Sequence, residues 1–574
     1  MRRVSLINLS FLALAVIFMS SCGGLKKMKK NAGLVKYSVT PNPLEMHADS
    51  VAISISGNYP PKYFNKKVTL TATPVLTFEG GEKAYKEVKV QGEKVQDNNT
   101  VISYTEGGSF SYSDKIPYEE AMRLSKVELR IQGYVKPEKP LDFDPVVIAD
   151  GVIATPSLLM INPKPIIGKD KFQRITSESK NADLLFKIQQ AKLQKRELNK
   201  DEVKALMDYL ASVQENKRKE LQGVNISAYA SPDGPTDLNA KLSTDRGSVT
   251  EKYLTKQFKK DTVLSKKETY KVTETAEDWE GFQKLMQNSN IEDKDLVLRV
   301  LSMYSDGEQR EKEIKNMAKV YLEIADQILP QLRRSVLTVN VNNIGYSDEE
   351  ITNIFNTKPD SLKPEELLYA ATLSKDNNQK LNVYNKFMEI YPNDWRGPNN
   401  AGAMNLLLGN TDKAKELFDK AKQLDENNII VENNFGAVCL LKGKLDKAEE
   451  HFVAASGAGD EVNYNLGVLK VKQGDYNSAV TYFGNNCSFD AALAKLLNQD
   501  YDGSIKAIDC APNKDDAMMF YLKAVDGARK ADTEIMYNNL RSALEKDASL
   551  NKLAKTDMEF FKYFNDDTFK SIVK

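Results

Sequence analysis

Histidine is almost missing. Only His47 and His451 carry an imidazole in 574 residues, so catalysis or metal binding built on that ring has almost nothing to work with. Cysteine is nearly as scarce: Cys22, Cys439, Cys487 and Cys510 contain no C-x-x-C and no Cys/His cluster of the kind that holds zinc. No G-x-S-x-G elbow and no phosphate-binding loop stands at a strand–helix junction. An excess of either charge is also lacking. The 80 basic and 80 acidic side chains cancel, which argues against nucleic acid as a partner. After the first twenty or so residues no stretch is apolar enough to cross a bilayer, which needs ~20 residues. An enzyme is therefore disfavoured, and no cofactor or metal is expected.

What is present suits a chain of several ordinary globular domains. Hydrophobic residues make up 41% and charged residues 28%, and the length implies about three or four cores.

The N-terminus reads as an address. Met1-Arg2-Arg3 is followed by the apolar run Leu6 to Met19 and then Ser20-Ser21-Cys22-Gly23-Gly24. These are the charged, apolar and small-residue zones of a secretory signal. The placement of Cys22 after two small residues resembles a lipobox, which implies cleavage after residue 21, acylation of Cys22 and attachment to a membrane through that lipid. An ordinary cleaved signal with an incidental cysteine is the alternative. A linker, residues 22–32, follows with a basic run at Lys26, Lys27, Lys29 and Lys30. Surface-exported lipoproteins of Bacteroidetes type often carry acidic residues there. The resemblance therefore implies retention on the periplasmic side of the outer membrane, with the basic run near anionic headgroups.

Residues 33–165 alternate with period two, as in Val51-Ala52-Ile53-Ser54-Ile55 and Val127-Glu128-Leu129-Arg130-Ile131. Gly, Asn and Pro clusters punctuate the runs. This predicts a β-sandwich-like domain with a spacer or docking role.

Residues 180–345 carry a motif. A strand, Val224 to Tyr229, precedes the turn Ala230-Ser231-Pro232-Asp233-Gly234 and then a helical run through Asn239, Leu242, Ser243 and Arg246. The run resembles the peptidoglycan-associating module of OmpA-like proteins, with Ala182 to Phe186 as its first strand and Leu332 to Val339 as its closing strand. The resemblance implies an α/β sandwich with a helical insertion around Ala276 to Leu329. It also implies a site for a zwitterionic amino acid of the cell wall: Arg246 forks onto the carboxylate and an aspartate takes the ammonium. Ser231 stands where the family has that aspartate, so Asp233 is the candidate substitute, with Asn239 beside it. A surface Arg246 paired with Asp245 or Glu251 is the bland alternative. Trp279, one of two tryptophans, is expected to anchor the insertion.

Residues 347–574 repeat. Gly402 is followed by Ala414, Phe418 and Ala421 at offsets of 12, 16 and 19, and Gly436 by Ala448, Phe452 and Ala455 at the same offsets, 34 residues on. Gly467, Ala479 and Phe483 repeat it in part. Small residues at helix crossings with an aromatic between resemble the tetratricopeptide (TPR) repeat, which implies an α-solenoid that binds proteins. Asn400, Asn434 and Asn465 each precede the repeat glycine by two residues. In peptide-binding relatives an Asn there can hold a ligand's backbone, although Asn is also simply common at this position. Cys487 and Cys510 are the candidate disulfide pair; buried thiols are the alternative.

The sequence thus predicts a multidomain α+β lipoprotein: a non-enzymatic scaffold with OmpA-like contact to peptidoglycan and envelope-protein partners on its TPR array, an accessory of an outer-membrane assembly or secretion complex. A purely structural envelope-to-wall tether is the rival reading.

Overall fold

Alternation in the first third builds two facing sheets. The strands are β1 (Lys36–Thr40), β2 (Leu44–His47), β3 (Ser50–Tyr59), β4 (Thr69–Phe78), β5 (Gly81–Ala84), β6 (Val88–Gly92), β7 (Thr100–Ile102), β8 (Gly108–Pro117), β9 (Ser125–Tyr134), β10 (Leu141–Asp142), β11 (Val146–Asp150) and β12 (Val152–Ile153). One sheet runs β1-β3-β2-β12 with β8 also on β3, and the other runs β10-β9-β4-β6-β7 with β11 on β9 and β5 on β4. Val51, Ile53 and Ile55 of β3 meet Leu76 and Val127 of the facing sheet. Each such buried side chain contributes about 1.5–3 kcal/mol.

This computed structural model describes residues 23–136 and 139–573, so the expected signal peptide and Cys22 lie outside the described residues. The basic stretch expected to be a plain linker is helical over residues 23–30. Leu25 and Met28 lie three apart, hence on one helical face, and both are buried in the sandwich core. Lys29 pairs with Asp144 at 3.2 Å.

The chain forms two compact units, Met1–Lys169 with Ser374–Lys574, and Asp170–Leu373. Sandwich and repeats, expected as separate domains, thus share one unit. The helices Asp348–Thr357 and Pro364–Thr372, expected with the repeats, fall in the other.

In that second unit a four-stranded sheet has the order β13 (Ile175–Leu185), β16 (Arg334–Ile344), β14 (Lys219–Tyr229), β15 (Tyr270–Thr275). β13 and β14 are antiparallel to β16, and β15 is parallel to β14. A parallel neighbour needs a crossover, which the helix Thr236–Gln257 supplies. That helix and Asp201–Glu215 bury Leu254, Val203, Leu206 and Leu210 against Val224, Ile226, Leu337 and Val339. β13 begins seven residues before the expected first strand. Its early half is exposed and polar, so it carries no apolar alternation to reveal it. The insertion holds helices from Trp279 to Leu332 around a core of their own, with Trp279 edge-on to Phe282.

In the first unit, helix pairs stack from residue 396 onward: Arg396–Leu407 with Thr411–Leu424, Ile429–Leu441 with Leu445–Ala454, and Asp460–Gln473 with Tyr476–Phe483. Two further pairs follow, Phe489–Leu497 with Tyr501–Asp509 and Ala517–Lys530 with Thr533–Lys546. The repeat glycines earn their spacing by close approach. A Cβ on Gly402, Gly436 or Gly467 would lie 2.6, 2.5 or 2.8 Å from Phe418, Phe452 or Phe483 respectively. Asp475, Asp500 and Asp532 cap second helices by accepting from backbone N–H groups. Cys487 and Cys510 form a disulfide, with Cα atoms 5.4 Å apart. The aromatic tail buries Phe560 and Phe569 in the core of the last repeats.

Candidate functional site

An extended chain turns the N–H and C=O of every second residue to the same side. A side-chain carboxamide, with one donor and one acceptor group, can satisfy both. The repeats use this match. Residues 158–169 leave the sandwich and cross the inner helices as an irregular extended strap. Asn465 Oδ1 accepts from Lys164 N–H at 2.7 Å and its Nδ2 donates to Lys164 C=O at 2.9 Å. Asn434 does the same to Ile166, at 2.7 and 2.8 Å. Asn400 does the same to Gly168, at 2.7 and 2.8 Å. The strap therefore runs antiparallel to the order of the repeats.

Neighbouring carboxamides complete the ladder. Asn399 donates to Ile166 C=O at 3.1 Å and Asn433 to Lys164 C=O at 3.1 Å. Asn434 and Asn465 also donate to the carboxamide oxygens of Asn399 and Asn433. All five are at most 1% exposed. Asp490 extends the row, accepting from Met160 N–H at 3.0 Å and from Tyr464 Oη at 2.7 Å. Burial raises its carboxyl above the usual range, against the two bonds it accepts. Lys164 Nζ lies 3.7 Å from the centre of the Tyr464 ring. At the far end, Gly168 has no room for a side chain: a Cβ would lie 2.7 Å from Arg396 and 2.8 Å from Trp395.

Asn400, Asn434 and Asn465 are thus brought into one row, and the backbone they hold is this chain's own. The strap, Asn399, Asn433 and Asp490 were not anticipated. The signal was present in two places: Asn doublets 34 residues apart, and the alternation Pro163-Lys164-Pro165-Ile166. Prolines occupy the positions whose N–H the ladder does not use.

The residues expected to meet peptidoglycan lie together in the second unit, with two corrections. Arg246 is no surface residue: it is 1% exposed, donating to Tyr229 C=O at 2.8 Å and Gln190 C=O at 3.2 Å rather than pairing with Asp245 or Glu251. Asp233 is no free carboxylate: Arg333 Nη2 reaches it at 3.0 Å and Ser231 Oγ also donates to it. Arg333 was outside the expected site; it stands one residue before the closing strand. The Arg246 guanidinium is lowered to about 10, by burial first and by the charge of Arg333 second, with Asp233 opposing them. Asn239 is buried and donates to Gly234 C=O, shaping the loop.

Among the described residues no group of three or more His, Cys, Asp or Glu is placed to hold a metal, and no helix is long and apolar enough to cross a membrane.

A family model described as tetratricopeptide repeat matches residues 399–428. No curated protein matches the chain. Among solved structures the chain is similar to PilF of Pseudomonas aeruginosa, with 16% identity, 38% of this chain and 97% of that one covered, and a TM-score of 0.29. It is also similar to a tetratricopeptide repeat protein of Parabacteroides merdae, with 12% identity, 39% and 89% covered, and a TM-score of 0.28. For yeast Tom70 the values are 13%, 66% and 93%, with a TM-score of 0.26. The chain thus has a β-rich N-terminal region and a C-terminal helical repeat region that resembles TPR solenoids, with one tetratricopeptide repeat matched within it.

Proposed function

We propose that this chain is an outer-membrane lipoprotein, acylated on Cys22 and facing the periplasm, that works as a non-enzymatic scaffold. Its repeats hold envelope proteins, in an assembly or secretion complex, and its four-stranded unit is an OmpA-like contact to peptidoglycan. The observation that carries this reading is the carboxamide ladder, a built surface that grips polypeptide backbone and needs no reactive group. The disulfide between Cys487 and Cys510 suits an oxidising compartment. For the wall contact, Arg246 and Arg333 outnumber Asp233 in one buried cluster, an excess of positive charge that favours an incoming carboxylate.

Crosslinking in intact envelopes tests the scaffold, with the full chain isolated and its crosslinked peptides mapped by mass spectrometry. Crosslinks from residues 374–574 to envelope proteins are expected. Attachment to sacculi with no protein crosslink would leave only the tether. Arg246→Lys keeps the charge and loses the fork. A folded Arg246→Lys protein that still sediments with purified sacculi like wild type would reject the wall site. Mature protein in the cytosol with an unmodified Cys22 would overturn the anchor.

A further inference from the structure

We infer that the strap is an exchangeable occupant: the groove of Asn400, Asn434, Asn465 and Asp490 takes an extended peptide supplied in trans, and residues 158–169 hold it closed until one arrives. This rests on the repeats being a protein-binding scaffold, and it names the partner class. Such a peptide has no proline at three alternating positions, and a glycine at the one over Trp395.

The three ladder residues Asn400, Asn434 and Asn465 bind the strap through backbone N–H and C=O groups alone. These backbone contacts carry no side-chain information and tolerate other sequences, provided that an apolar side chain replaces Ile166 in the core of the repeats. Part of the strap faces out, with Met160, Asn162, Lys164 and Lys169 exposed, while Ile166 is buried in the core of the repeats and Leu158, Leu159 and Ile161 pack against it. Pro163 and Pro165 supply no N–H toward the outer side, so no strand can pair fully along the strap from outside and lock it down. A tethered segment competes at an effective concentration of order millimolar, and a site that is open only a fraction of the time binds more weakly by that fraction. Occupancy in cis therefore masks the groove without abolishing it.

The test uses full-length protein in detergent and a fluorescent peptide copying residues 158–169, read by anisotropy. Ile166→Pro removes the N–H that Asn434 accepts. Gly168→Val drives a side chain into Trp395 and Arg396. Both weaken the strap and leave the ladder intact. Each is expected to bind the peptide about tenfold or more tighter than wild type, and adding Asn434→Ala is expected to remove the gain. Equal binding by wild type and both folded strap variants overturns the inference. So does a gain that survives Asn434→Ala, which would place the peptide elsewhere. If one variant fails to fold, the other decides. If both lose their helical circular dichroism, the strap is indispensable to the fold and the inference is overturned. Envelope crosslinks on the outside of the repeats would stand in any of these cases, so a failed exchange is distinguishable from a failed scaffold.

Discussion

Asn434 grips Ile166 by both backbone groups, at 2.7 and 2.8 Å, across 268 residues of sequence. One carboxamide thus ties the segment leaving the sandwich to the middle of the repeats.

Replacing Asn434 with Ala leaves the Ile166 N–H buried and unpaired, while the C=O keeps its bond from Asn399. An orphaned buried group costs about 1–3 kcal/mol. Thermal melting of the first unit should fall accordingly, and the Ile166 amide should exchange faster. Asn162→Ala, on the exposed side of the strap, should stay within about 0.5 kcal/mol. Equal effects would deny the ladder its structural role.

The contact between Gly436 and Phe452 makes a second prediction. Gly436→Ala puts a methyl group 2.5 Å from the Phe452 ring, and overpacking of this kind costs about 1–3 kcal/mol. Adding Phe452→Leu should recover part of the loss. A double variant less stable than the sum of its parts would contradict the packing described.

Cys487 and Cys510 close a loop across the turn and the two helices between them. Cross-linking a loop of that length stabilises by about 3 kcal/mol in the chain-entropy picture. The Cys487→Ser and Cys510→Ser pair, or reduction of wild type, should lower the melting temperature of the repeats. Cys439 should be the thiol alkylated without reductant after denaturation. Alkylation of all three would mean the bond does not form.

Stability should fall as pH rises through the neutral range. Asp526 is raised to about 8 by burial, with its bond from Ser504 and the charge of Arg529 opposing that. One of its carboxyl oxygens has no hydrogen-bond partner. An unfolded aspartate titrates near ~3.9. Between these values the folded chain keeps a proton that the unfolded chain has released. The loss is at most about 1.4 kcal/mol per pH unit for this group. Asp557, raised to about 6 by burial, acts in the same direction over the lower part of the range. Melting curves from about pH 4 to about pH 8 should show the decline, and Asp526→Asn should flatten it. An unchanged slope in that variant would assign the effect elsewhere.

Sequence alone determined what repeats locally. Alternation along Ser50–Tyr59 and the Gly–Ala–Phe offsets of the repeats are imposed by pleat and helix geometry within a few residues, so they can be read without knowing what packs on them. The resemblance around Asn239 and Arg246 led to residues that do lie together. It did not reveal that Arg333 holds Asp233, because the junction before a strand a hundred positions away supplies that guanidinium.

Tertiary structure alone decided what fills the groove. Proline-alternating residues 163–166 look like any exposed linker in one dimension, since an extended backbone declares no partner until donors and acceptors face it. Folding brought Asn400, Asn434 and Asn465 to that backbone. Burying its N–H and C=O groups unpaired costs more than ordering them against carboxamides, and that difference joins contacts such as Asp49 with Lys472 and His47 with Tyr476 in holding sandwich and repeats in one unit.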